Sequence, residues 1–168
     1  MLLAILLACG DKDTAVAGDD TGTEETTDDT GDTDTTPAGC GSVASGDVTL
    51  TGDAEVEAFC AEYAEVEGLL TVSDVSTLEG LSCLCAAGDL TITDSPDLGS
   101  LVGLSALESV GTLTISDSTG LTDLSGLTAL TEVGGDLAMD DISGVESLAG
   151  LEGITTIGGT LSIEDVPA

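Results

Sequence analysis

Residues 88–117 read GDLTITDSPDLGSLVGLSALESVGTLTISD, and two rhythms in this stretch decide the fold. At its ends, GDLTITD from Gly88 and GTLTISD from Gly111 alternate apolar residues with Thr or Ser, the period of a strand with one buried face. Between them, Leu98, Leu101, Leu104, Leu107 and Val110 recur at every third residue. On an α-helix a spacing of three drifts by ~60° per step, so five such residues would scatter over most of the circumference. The intervening Gly and Ser are also poor helix formers. The spacing therefore predicts a 3₁₀-like or irregular path that drops one apolar side chain inward at each step.

Working outward, the strand template recurs as GDVTLTGD at Gly46, GLLTVSD at Gly68, GDLAMDD at Gly135 and GTLSIED at Gly159. The first apolar residues of the six segments are Val48, Leu70, Leu90, Leu113, Leu137 and Leu161, spaced by 22, 20, 23, 24 and 24. The triplet rhythm recurs too: Val75, Leu78, Leu81, Leu84 and Ala87; Leu121, Leu124, Leu127, Leu130 and Val133; Ile142, Val145, Leu148, Leu151, Ile154 and Ile157. The 20-residue unit is one triplet shorter than the 23-residue unit, and the 24-residue units each add one Gly, in Gly134-Gly135 and Gly158-Gly159. Length changes fall in whole inward steps or at a glycine turn, as stacked coils with a shared interior require.

The expected fold is mainly β: a right-handed parallel β-solenoid of about six short coils over residues 40–168. Six strands at ~4.8 Å would make a sheet roughly 24 Å long. Coils contact only their neighbours, so the ends need covering. Val56, Phe59, Tyr63 and Val66 follow helical spacing around Asp53 to Ala64, with Glu55 and Glu57 near the positive N-terminus, which predicts an N-terminal capping helix. No equivalent follows Glu164-Asp165, so the last coil is expected to be exposed, capped by a partner or truncated.

Cys40 opening this region, a helix bearing Cys60, and strands of the GDLTITD kind followed by Leu-rich returns resemble the receptor L-domain family. The resemblance covers about residues 40 to 168 and implies a non-catalytic module that binds proteins or packs as a scaffold. It also implies a disulfide between Cys40 and Cys60, which leaves Cys83 and Cys85 to each other or free. Pairing of Cys60 with Cys83 on the adjacent coil is the close alternative. Disulfides suit an oxidising, extracytoplasmic setting.

Composition removes most chemistry. There is no His, Arg or Trp, and Lys12 stands alone against 33 acids, for a formal charge of -32. Such a chain offers no imidazole for general base work, no Arg clamp for phosphate and no basic patch for nucleic acid. The charge favours a soluble monomer and destabilises the compact state by self-repulsion, so salt or divalent cations should help folding. With one Phe and one Tyr, core volume must come from Leu, Ile and Val.

The first nine residues, MLLAILLAC, form an apolar run ending in Ala8-Cys9 and followed by Gly10. This resembles a bacterial lipobox, which implies a signal peptide over 1–8, lipid attachment at Cys9 and a place in the cell envelope, at the outer membrane or cell surface. Residues 9–39 then hold ten acids, many Thr and Gly, and almost nothing apolar, the composition of a disordered acidic tether.

Two columns follow from stacking. Asp74, Asp94, Asp117, Asp141 and Asp165 each lie two residues past the second apolar strand position, and strand parity points them inward. They are expected to form a ladder of Asx-type turns accepting backbone N–H groups, with calcium shared between carboxylates as the alternative. No other cofactor is implied. Facing solvent, Thr49 and Thr51, Thr71 and Ser73, Thr91 and Thr93, and Thr114 and Ser116 make a flat hydroxyl array that breaks at Ala138 and Asp140. The expected function is a surface lipoprotein whose solenoid binds, adheres or supports, its partners being the membrane through the lipid anchor and an extracellular protein or polysaccharide. Alternatives are ice binding by the Thr array, a calcium-dependent surface protein, and an enzyme that uses paired acids on glycosides.

Overall fold

The structure, a computed structural model, describes residues 41–164. These are mainly β. Strands β1 (Val43–Ala44), β2 (Val48–Thr51), β3 (Glu65–Ser73), β4 (Ala86–Thr93), β5 (Ser109–Ile115), β6 (Glu132–Val133), β7 (Leu137–Met139), β8 (Thr156–Ile157) and β9 (Leu161–Ile163) form one open sheet. Every pairing between these strands is parallel.

The sheet has two lanes. In the first, β1, β3, β4, β5, β6 and β8 neighbour one another in that order. In the second, β2 pairs with β3, and β7 joins β5 to β9. The long strands β3, β4 and β5 cross both lanes. Register follows the sequence rhythm: Val48 pairs with Leu70, Leu70 with Leu90, Leu90 with Leu113, Leu113 with Leu137 and Leu137 with Leu161. Each is the first apolar residue of its segment, so the interval that separates two segments also sets which residues face each other.

The returns explain the triplets. They contain the 3₁₀ turns Glu79–Leu81, Val102–Leu104 and Ser125–Leu127. Within them each leucine N–H donates to the carbonyl of the leucine three residues earlier: Leu81 to Leu78 and Leu84 to Leu81 at 2.8 Å, Leu104 to Leu101 at 2.8 Å, Leu107 to Leu104 at 2.9 Å. The same chain runs from Leu124 through Leu127 to Leu130, at 3.0 Å per bond. A backbone that repeats its bond every third residue repeats its inward direction every third residue as well. Val75 through Val110, Leu121 through Val133, and Ile142 and Val145 accordingly supply the buried core at every triplet position.

The last return departs from this pattern. Leu148 is 47% exposed and Leu161 54% exposed, while Leu151, Ile154, Ile157 and Ile163 are only half-buried. Their equivalents one unit earlier are covered by the following unit, and no described residue stacks beyond them.

The helix is shorter than its apolar spacing predicts. Helix α1 spans Asp53–Phe59 and buries Val56 and Phe59, whereas Tyr63 lies just past the turn that follows it and Val66 in β3. The sheet takes the chain away: the Ala64 N–H donates to the Ser42 carbonyl at 2.8 Å, committing the backbone to the ladder beside β1. Tyr63 still packs on Phe59, their ring centroids 6.0 Å apart. At the other end the Glu55 carboxylate accepts the Thr51 N–H at 2.7 Å, closing the helix start much as a capping box does.

Candidate functional site

The solvent face of the sheet carries the hydroxyl array in register. Thr49, Thr71, Thr91 and Thr114 form one file, continued by Ala138 and Ser162. Thr51, Ser73 and Thr93 form the second, extended by Ser116, whose hydroxyl donates to Thr93 Oγ1 at 3.0 Å. The files lie on opposite sides of the buried Leu50, Val72, Ile92 and Ile115, so a continuous core backs the face.

The aspartate column lies elsewhere than strand parity places it. Asp74, Asp94, Asp117 and Asp141 have φ of 55°, 49°, 50° and 51°, and all four are exposed. A left-handed residue breaks the strand's alternation: the carboxylate swings to solvent and the next residue turns inward. Val75, Ser95, Ser118 and Ile142 take that inward position at 2%, 0%, 0% and 0% exposure. Asp tolerates this backbone better than most residues, which accounts for the column. Gly52, with φ 80°, holds the same place in the first unit. The Asx ladder is corrected with it, since among the described residues no backbone N–H donates to the carboxylates of Asp74, Asp94 or Asp117. The buried serines do that local work instead: Ser95 Oγ donates to Thr93 O at 2.9 Å and accepts the Val75 N–H at 3.3 Å, and Ser118 Oγ donates to Ser116 O at 3.0 Å.

For calcium, Asp74 and Asp94 line one open groove of about 260 Å³ with Asp53 and Asp97. Among the described residues no group of three or more acids or cysteines stands close enough to hold a metal ion. Asp165 lies outside the described residues. Sodium chloride is expected to raise the melting temperature by screening the uncompensated acids. Calcium at matched ionic strength is expected to add nothing further, which differential scanning calorimetry can check.

Two features are absent from the sequence reading. The residue after the strand-opening Gly alternates: Asp47, Leu69, Asp89, Thr112, Asp136, Thr160. Each Asp accepts the N–H of the next unit's residue in that column: Leu69 to Asp47 at 2.9 Å, Thr112 to Asp89 at 2.7 Å, Thr160 to Asp136 at 2.6 Å. Acids on alternate units serve every N–H they reach without placing two carboxylates on adjacent strands. The second feature is the octet TLEGLSCL at Thr77, repeated as SLVGLSAL at Ser100, DLSGLTAL at Asp123 and SLAGLEGI at Ser147. Thr77, Asp123 and Ser147 accept the N–H two residues on, which starts the turn. The glycines Gly80, Gly103, Gly126 and Gly150 lie where any Cβ would overlap the preceding unit's backbone, at Val56, Leu78, Leu101 and Leu124.

Cys60 is joined to Cys83, with Cα atoms 5.7 Å apart. The pairing of Cys60 with Cys40 therefore gives way to the inter-unit alternative, because the end of α1 sits over the following return. Cys85 is disulfide-bonded as well, so it pairs with neither Cys83 nor Cys60 and is not free. Cys40 lies outside the described residues.

Asp53 makes a further link between units. Its carboxylate accepts the Ser76 hydroxyl at 2.6 Å, the Ser76 N–H at 2.7 Å and the Thr77 N–H at 3.3 Å. These bonds, the Ser76 hydroxyl foremost, hold its pKa below the ordinary Asp value. A depressed folded-state pKa contributes stability that is complete above the unfolded-state pKa and lost as pH falls through the folded one. The stability gap between wild type and Asp53→Asn, read from urea midpoints, should be widest near neutrality and close on acidification.

Comparison with protein-family models, curated proteins and solved structures finds no match for the chain. Among the described residues no helix is long and apolar enough to cross a membrane. The apolar run 1–8, Cys9 and the acidic stretch up to residue 39, expected to be a signal peptide, a lipid-attachment site and a tether, lie outside the described residues.

Proposed function

We propose that this chain is a lipid-anchored protein of the bacterial cell envelope. Its folded part is a right-handed parallel β-solenoid of receptor L-domain type, acting as a non-catalytic binding, adhesion or structural module. The observation that carries this reading is the sheet's solvent face, where two hydroxyl files stand in register on a fully buried apolar backing. Such a face presents a regular hydroxyl array, bordered on the same side of the strands by exposed Asp47, Asp89 and Asp136, on a molecule whose charge repels nucleic acid and anionic polymers. An extracellular protein or neutral polysaccharide suits it. The grooves are lined largely by Gly, Ser, Thr and acids, and the chain has no imidazole to serve as a general base.

Two arms test the proposal. Wild type should enter the detergent phase of whole-cell extracts and Cys9→Ala should not; equal partition of both would refute the anchor. Immobilised domain should retain an envelope or extracellular polymer, and Thr71→Lys with Thr91→Lys should abolish retention. Unchanged retention would refute the face as the binding surface. The in-register Thr files also favour a second reading, ice binding, for which thermal hysteresis in the purified domain is the measurement.

A further inference from the structure

The chain holds five cysteines: Cys9, Cys40, Cys60, Cys83 and Cys85. Cys60 is joined to Cys83, and Cys85 is disulfide-bonded too, so within the chain its partner is Cys40 or Cys9. The residues around Cys85 decide between them. Its N–H donates to the Ala64 carbonyl at 3.0 Å, and its sulfur lies 3.4 Å from the same oxygen. The Ala64 N–H donates in turn to the Ser42 carbonyl at 2.8 Å, and a Cβ built on Gly41 would stand 3.0 Å from the Ala64 Cβ. Gly41 therefore lies against Ala64, the residue beside Cys85 in the ladder. Cys40 is one step of ~3.8 Å from Gly41, within the reach of a bond that needs Cα atoms ~4.4–6.8 Å apart. Cys9 stands 31 residues further back, and closing that longer loop costs more chain entropy.

We propose that Cys85 bonds Cys40, which closes the first unit covalently at both ends and leaves Cys9 as the one cysteine available for acylation. The pairing stands without an anchor, whereas the consequence for Cys9 rests on the lipid attachment proposed above. In each bond two thiols give up two protons and two electrons to a disulfide-bearing oxidant, which departs as the dithiol. Both bonds enter the same return, one on either side of the fully buried Leu84. Residues 40–60 are thus held at their start by Cys85 and at their end by Cys83. Strand β1 is only two residues long, so a pull on the preceding chain would otherwise fall first on its short ladder. The bond passes that load to Cys85, at the start of β4.

The test labels free thiols of the full chain, recovered from whole cells, with a maleimide in urea and without reductant. Lys12 is the chain's one tryptic site, so enzymes specific for Asp and Glu cut the protein before mass spectrometry locates the label. Wild type should carry no maleimide on Cys40, Cys60, Cys83 or Cys85. Cys85→Ser should gain label at Cys40 alone, and Cys40→Ser at Cys85 alone. Label on Cys40 in wild type, a gain at Cys9 in Cys85→Ser, or a disulfide-linked dimer of wild type would each overturn the pairing. Label on Cys9 in wild type would overturn only its assignment to acylation. Amide exchange at Val43 and Ala44 should speed up at least about tenfold in Cys85→Ser, because the chain end beside them is released. Unchanged exchange there would overturn the closure of the first unit.

Discussion

Replacing Gly103 with alanine is expected to cost about 3 kcal/mol or more, because the new methyl would enter the Leu78 carbonyl and main chain below it. Both partners are backbone, so no side chain can rotate away. Relief requires two units to separate, which would weaken the leucine stacking on either side. Gly99 provides the control, since a Cβ there meets nothing within 4 Å and its φ is not left-handed. Gly99→Ala should be neutral or stabilising by up to about 1 kcal/mol through loss of unfolded-chain freedom. Urea denaturation of the two variants measures the contrast. Similar midpoints would mean that the units are not in backbone contact at Gly103.

Leu104→Ala should cost about 2–5 kcal/mol, a large share of the roughly 5–15 kcal/mol that holds a domain of this size together. Leu104 is fully buried between units above and below, so its removal leaves a cavity that neither neighbour can fill. Leu151 occupies an equivalent triplet position in the last return but is only half-buried. Leu151→Ala should therefore cost less than half as much, about 1–2 kcal/mol. The gradient between identical substitutions is the diagnostic result. Equal losses would contradict the full enclosure of Leu104 and the partial burial of Leu151.

Strand positions and returns were legible because both come from local periodicity. Thr91 and Ile92 declare their faces by alternation, and Leu98 to Val110 declare theirs by threes. The parity rule failed at Asp74, Asp94, Asp117 and Asp141 because it assumes an uninterrupted β backbone. A single left-handed residue inverts every side chain that follows it. That Gly52 and four aspartates share one column was the available signal, since Gly and Asp have little in common except tolerance of positive φ. The role of Gly103 and Gly126 was harder to read. Their constraint comes from a carbonyl 25 residues earlier, Leu78 for Gly103 and Leu101 for Gly126, which no local window contains, although the recurring octet marked the place. The disulfide misled for a similar reason: resemblance joined Cys60 to Cys40, while contact between successive units joins it to Cys83. The hydroxyl face was anticipated residue by residue. Its register is a property of the pairing, and the Asp47, Asp89, Asp136 alternation that ties adjacent units together emerges only when the strands are laid side by side.

Nuclear Overhauser contacts among methyl-labelled leucines test the stacking most directly. Leu70, Leu90, Leu113 and Leu137 should each see only the neighbour one strand away, at ~4.8 Å between strands, so Leu90 contacts Leu70 and Leu113 but not Leu137. A direct Leu90–Leu137 contact, or cross-peaks that pair these strands in antiparallel order, would contradict the account.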